Sequence, residues 1–246
     1  DQLDVKVEHL PDTDELERRK KDNLGYTRPE ISILIAYAKL DIFRKLLESD
    51  LPEDEALESM LMLYFPQAIQ FQYFELLPKH PLRREIVATQ LSSEVVNRMG
   101  LTFMQRLRSE TGYDTATVLR AYLVAKAIVD ADNWWGRVEG LELGGDLSLK
   151  IQRELKELLE FCTIWLLKNS KHPLNIGDEA DKLVGPMSQF GRELPEILPK
   201  HNFTRAEERE QRWQAEGLTP DLARPVALLP VLSLIHISEP TRRTPI

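Results

Sequence analysis

Apolar side chains recur along this chain at helical spacing, and local start and stop signals divide them into segments. Ile31, Leu34, Ile35, Ala38, Ile42, Phe43 and Leu46 mark one stripe, which predicts an amphipathic helix. Its start is specified by Thr27-Arg28-Pro29-Glu30: Thr27 can accept from the backbone N–H three residues on, Glu30 can reach back, and Pro29 sits in the first turn, where a missing N–H costs nothing. A second helix is predicted to start at Pro52-Glu53-Asp54-Glu55, whose carboxylates oppose the positive end of a helix dipole. Tyr64-Phe65-Pro66 opens a further periodic stretch through Phe71, Phe74 and Leu77, closed by Pro78 and restarted after Pro81.

From Leu82, Ile86, Leu91, Val95 and Met99 form one inward face, with Gly100 as a left-handed cap and Thr102 opening the next helix. Asp114 precedes TATVLRAYLVAKAIVD, a well-buried helix expected to end near Asp132. The stretch from Trp134 to Asp146 holds four glycines and reads as a loop or internal junction. A long helix follows, with Ile151, Leu155, Leu158, Leu159, Cys162, Trp165 and Leu166 on its apolar face and Lys171-His172-Pro173 after it. Shorter helices are expected over 176–190, 194–198 and 204–217. Sustained two-residue alternation is missing, as is any fixed-period repeat, so the expected fold is all-α: an irregular multi-helix bundle with no significant β-sheet.

The last fifteen residues change the picture. LSLIHISEPTR, residues 232 to 242, matches one reading frame of a transposon-end adapter used in preparing sequencing libraries, and it departs from the helical patterning before it. Residues 232–246 are therefore expected to be adapter-derived, leaving 1–231 as native sequence with an internal junction near 134–146. His236 then carries no functional weight. The chain also opens at Asp1 without an initiator methionine, so we expect a piece of a longer protein.

Composition narrows the function. With 246 residues and 42% hydrophobic side chains the chain can bury a sizeable core. No apolar run of about 18 residues and no signal peptide is present, so no membrane span is expected and a cytoplasmic location follows. A net charge of −8 opposes nucleic-acid binding. Cys162 lacks an internal disulfide partner and sits in LLEFCTIWLL, where a buried thiol acts as a small hydrophobe instead of a nucleophile.

A dinucleotide site needs a strand, a glycine turn and a helix N-terminus. Gly140, Gly144 and Gly145 have neither the spacing nor a preceding strand, and read as a loop. His9, His80, His172 and His201 are too far apart to form a metal motif. Asp130, Asp132 and Asn133 resemble a sparse magnesium cluster, but solvated carboxylates at a helix end explain them better. Arg83, Arg84, Arg98, Arg106 and Arg108 could hold an anion, although ion pairs within and between helices are the preferred role. Phe65, Phe71, Tyr73 and Phe74 are read as core, with a docking surface as the alternative, because four aromatics in ten residues cannot share one helix stripe. No catalytic, cofactor-binding or metal-ligating residue is assigned.

Two long strings, GYTRPEISILIAYAKLDIFRKLLESDLPED (Gly25–Asp54) and LRREIVATQLSSEVVNRMGLTFMQRLRSETG (Leu82–Gly112), resemble the C-terminal helical region of the large bacterial NAD-specific glutamate dehydrogenases. That resemblance extends more weakly over residues 1–231. It implies a parent enzyme that oxidatively deaminates L-glutamate to 2-oxoglutarate and ammonia, passing hydride to NAD. The parent's catalytic machinery would then lie before Asp1, leaving this region inactive alone and without bound NAD. The partners implied are the catalytic domain of the same parent chain and further copies in a homo-oligomer. An independent helical interaction module, with no enzymatic role, is the alternative from another class; an all-helical metal-dependent enzyme is a third.

Overall fold

Described residues in the computed structural model are 10–140, 144–197 and 200–238, and among them there are twelve α-helices and no strand. They fall into two compact units divided between Val118 and Leu119.

In the first unit, α1 (Thr13–Lys21) precedes α2 (Arg28–Leu47), and the junction is built by the predicted capping box. The Thr27 N–H donates to Glu30 Oε2 at 2.6 Å, and the Glu30 N–H donates to Thr27 Oγ1 at 3.5 Å. Arg19 was not foreseen as a member of this site. Its Nη1 donates to both Glu30 carboxylate oxygens, at 3.0 and 2.9 Å, while Nη2 pairs with Glu15. These bonds tie α1 to the start of α2. The Arg19 guanidinium, and then the Thr27 backbone N–H, hold the Glu30 carboxyl below its ordinary pKa. A carboxylate with a lowered folded pKa contributes its full stabilisation above the unfolded value and loses it as pH falls through the folded one. Glu30→Gln is therefore expected to lower the thermal midpoint at neutral pH, and the gap from the parent should close on acidification below about pH 4. Melting curves at several pH values check this; a constant gap would contradict the ionic role.

The stripe on α2 buries Ala38, Ile42 and Leu46 against α5 (Arg83–Met99), whose buried positions include the predicted Ile86, Leu91, Val95 and Met99. Ile31, expected inside, is exposed, because the buried face of α2 runs from Glu30 to Ala38 and passes beside it. The helix expected at Pro52 is replaced by two short 3₁₀ turns, Leu51–Glu53 and Glu55–Leu57, ahead of α3 (Glu58–Leu63). Pro52 and the Asp54 side chain, which accepts from the Ala56 N–H at 3.0 Å, favour local turns there. After α4 (Gln67–Tyr73) and a 3₁₀ turn at Leu77–Lys79, α5 ends at Gly100. Gly100 has positive φ as expected, but with φ 87° and ψ 168° it is extended instead of left-handed helical. Only glycine occupies that region without strain. Then come α6 (Phe103–Thr111) and the start of α7 (Thr115–Ile128), where Asp114 accepts from the Thr117 N–H at 2.8 Å.

In the second unit the rest of α7 is followed by α8 (Ala131–Glu139), α9 (Gly145–Asn169), α10 (Ile176–Ile197), α11 (Lys200–Ala215) and α12 (Pro220–Ser238). The stretch read as a loop from Trp134 is helical up to Glu139, because Ala131, Trp135 and Val138 form a buried stripe. Of that stretch, 141–143 lie outside the described residues. Asp130, with φ 52° and ψ 46°, makes the turn that ends α7 four residues earlier than Asp132 would imply. The helices expected at 176–190 and 194–197 are one continuous α10, and Leu198 lies outside the described residues.

The 25-residue α9 buries Ile151, Leu155, Leu158, Leu159, Cys162 and Leu166 as its pattern predicts. Sequence patterning missed α12, since Pro225 and Pro230 stand inside it. Each interior proline costs about 3 kcal/mol. Burial of Leu222, Val226, Leu229 and Val231, at roughly 1.5–3 kcal/mol per side chain, offsets that cost as α12 packs on α9 and α11. The helical backbone continues past Val231 to Ser238, and 239–246 lie outside the described residues.

Candidate functional site

The arginines at the start of α5 grip backbone. Arg83 donates to the carbonyls of Pro52 at 3.2 Å, Pro78 at 3.3 Å and Asp54 at 3.0 Å. Arg84 Nη2 donates to Leu47 O and Ser49 O, both at 2.8 Å, and Nη1 donates to Glu53 Oε1 at 3.1 Å. The preferred ion-pair role is thus only a minor part of their function. Two planar guanidinium groups bond carbonyls at the end of α2, in the 3₁₀ turns after it and at Pro78.

The remaining candidates disperse. His80 Nδ1 accepts from the Leu82 N–H at 3.1 Å and its ring lies 5.4 Å from that of Phe65, while His172 Nε2 is 2.9 Å from the Leu167 carbonyl. His201 is exposed, and His9 lies outside the described residues. Asp130 accepts from Asn133 Nδ2 at 2.9 Å, whereas Asp132 pairs with Lys126 at 3.0 Å. No group of three metal-ligating side chains forms among the described residues. Burial pushes the Cys162 thiol up to about 12, opposite to the shift an attacking thiolate needs.

Gly140 ends α8, so a helix feeds it where a dinucleotide cradle requires a strand, and Gly144 precedes α9. Gly140 therefore does not fit that cradle. The second unit does hold a cleft of ≈390 Å³ with Ile128, Trp134, Leu158, Met187 and Leu228 among its walls and Asp130 and Arg224 as its charged lining. Ser188 adds a hydroxyl to that lining.

The clearest unabsorbed feature is in the first unit. Phe71 and Phe74 are 85% and 63% exposed, and Tyr73 is exposed too, while Phe65 is half-buried. The core reading of this aromatic group is overturned: α4 buries no residue, and Phe71, Tyr73 and Phe74 are exposed. The signal was in the sequence, since no single stripe could take all four.

The family model described as glutamate dehydrogenase, C-terminal, matches residues 23–245. The NAD-specific glutamate dehydrogenase of Pseudomonas aeruginosa is 32% identical over 245 residues, covering 97% of this chain and 15% of the relative. That of Halomonas elongata is 30% identical, covering 99% of this chain and 15% of the relative. The Mycobacterium tuberculosis enzyme of the same name is 28% identical, covering 88% and 13%. The chain thus spans 15% of the length of the first two relatives it matches.

Proposed function

Because the chain belongs to the glutamate dehydrogenase C-terminal family, we propose that it is a structural and regulatory helical region of an NAD-specific glutamate dehydrogenase. The complete enzyme would convert L-glutamate, NAD and water to 2-oxoglutarate, ammonia and NADH in the cytoplasm, with hydride transfer carried by residues outside this chain. The observation that carries the reading is the near-complete coverage of this chain by relatives of which it spans only 15%. The Arg19, Arg83 and Arg84 side chains hold helices and turns together, as a structural region requires. Its partner is the catalytic domain of the same polypeptide, and homo-oligomerisation brings further copies.

We also propose that residues 232–246 are foreign to the natural protein, on the adapter-like string LSLIHISEPTR. The gene's flanking sequence from the source genome tests this. Divergence after about Val231 supports it, and an uninterrupted native reading frame through Ile246 overturns it.

Function is tested by a chimaera in which residues 1–231 replace the matched region of the P. aeruginosa enzyme. Glutamate-dependent NADH formation should exceed that of the same enzyme lacking the region by at least about tenfold, corresponding to a step of about 1.4 kcal/mol in transition-state stabilisation. A folded chimaera no more active than the deletion would remove the proposed role. A free-standing interaction module predicts that second result.

A further inference from the structure

We propose that the surface formed by Leu63, Tyr64, Phe71, Phe74 and Leu76 is where the rest of the dehydrogenase polypeptide docks on this region. The proposal rests on the role inferred above and gives it a location.

Leu63 is 78% exposed, its neighbour Tyr64 and, beyond Phe74, Leu76 are exposed too, and together they bracket Phe71 and Phe74 in sequence. Single outward apolar side chains are ordinary, but a concentration of large ones on one short segment marks a contact surface. Charge is missing as well: from Ser59 to Phe74 the chain contains no Asp, Glu, Lys or Arg. A solvated helix carries such residues, whereas the centre of an interface is depleted of charge and enriched in Phe, Tyr and Met.

Helix stability points the same way. With seven residues and no buried side chain, α4 is well short of the roughly 12–15 residues at which an isolated helix becomes even marginal. Its hold on the unit is at one end, where Gln70 Nε2 donates to Phe65 O at 2.6 Å and the Phe65 ring meets Tyr64 and His80. A partner covering its outward face would supply the missing packing. The matched region is only 15% of the P. aeruginosa and H. elongata relatives, so an enzyme of their kind has a large remainder of its own chain to offer. That remainder is covalently tethered at high effective concentration, which favours it over a second copy.

Hydrogen exchange over 63–76 tests the proposal, comparing the isolated 246-residue chain with the chimaera. Exchange should slow by about tenfold or more in the chimaera, and Phe71→Asp with Phe74→Asp should restore the fast rate there. In the isolated chain the same pair should leave the melting midpoint unchanged. Equal exchange in both proteins overturns the proposal, as does protection in the isolated chain that grows with concentration as its mass doubles. If the chimaera does not fold, the aligned segment of the intact P. aeruginosa enzyme is measured instead, with slow exchange supporting and fast exchange overturning the surface. An active chimaera with an open 63–76 removes the docking surface alone; a folded, inactive chimaera removes the functional reading, whatever its exchange.

Discussion

Arg84→Ala is expected to destabilise the unit ending at Val118 by about 2 kcal/mol, seen as an earlier urea midpoint by far-UV circular dichroism. One Nη2 of Arg84 bridges Leu47 O and Ser49 O at 2.8 Å each, and these carbonyls belong to the last turn of α2 and the residues just beyond it. A hydrogen bond to a charged donor contributes about 1.5–3 kcal/mol, and the lower part of that range applies because the side chain is partly exposed. The ion pair to Glu53 is a small part of the total: Glu53 is more than half exposed, so Glu53→Ala should cost under about 0.5 kcal/mol. Arg84→Lys should recover only a fraction, since a single ammonium on a flexible stem lacks the planar fork that reaches two carbonyls and a carboxylate together. If Glu53→Ala cost as much as Arg84→Ala, the residue would be acting through its ion pair and the backbone role would be wrong.

That arginine also shows where sequence reading stops. The Thr27–Glu30 capping box was legible because its partners are three residues apart and their chemistry is complete within one turn. The same holds for the inward faces of α5 and α9, which depend on a period of 3.6 and on nothing distant. Arg84 contacts residues 31 to 37 positions away, and no local pattern distinguishes it from a surface arginine. Arg19 escaped notice for that reason too, its carboxylate partner lying across the turn between α1 and α2. The errors at Phe71 and Phe74 have another origin. Apolar periodicity says that a face is to be covered but not by what, so a face kept for a partner reads as core. At α12 local punctuation misled in the opposite sense: two prolines argued against a helix that tertiary burial sustains. Among the described residues no helix is long and apolar enough to cross a membrane, in line with the hydropathy of the sequence.

The second large effect is expected in α9, where Leu159→Ala should cost about 3 kcal/mol, within the 2–5 kcal/mol that truncating a buried leucine takes through lost transfer energy and the cavity left behind. Leu159 is fully buried, and α9 packs against both α8 and α12, so the void would open among helices that cannot all collapse into it. Leu149 lies on the same helix but is 67% exposed, and Leu149→Ala should change stability by no more than about 0.5 kcal/mol. Tryptophan fluorescence reads this unit selectively, because all four tryptophans, Trp134, Trp135, Trp165 and Trp213, follow Val118. Leu159→Ala should therefore move the fluorescence midpoint, and Leu149→Ala should leave it in place. Equal losses from the two variants would mean that Leu149 is covered in solution, and the face of α9 assigned to solvent would then have to be an interface.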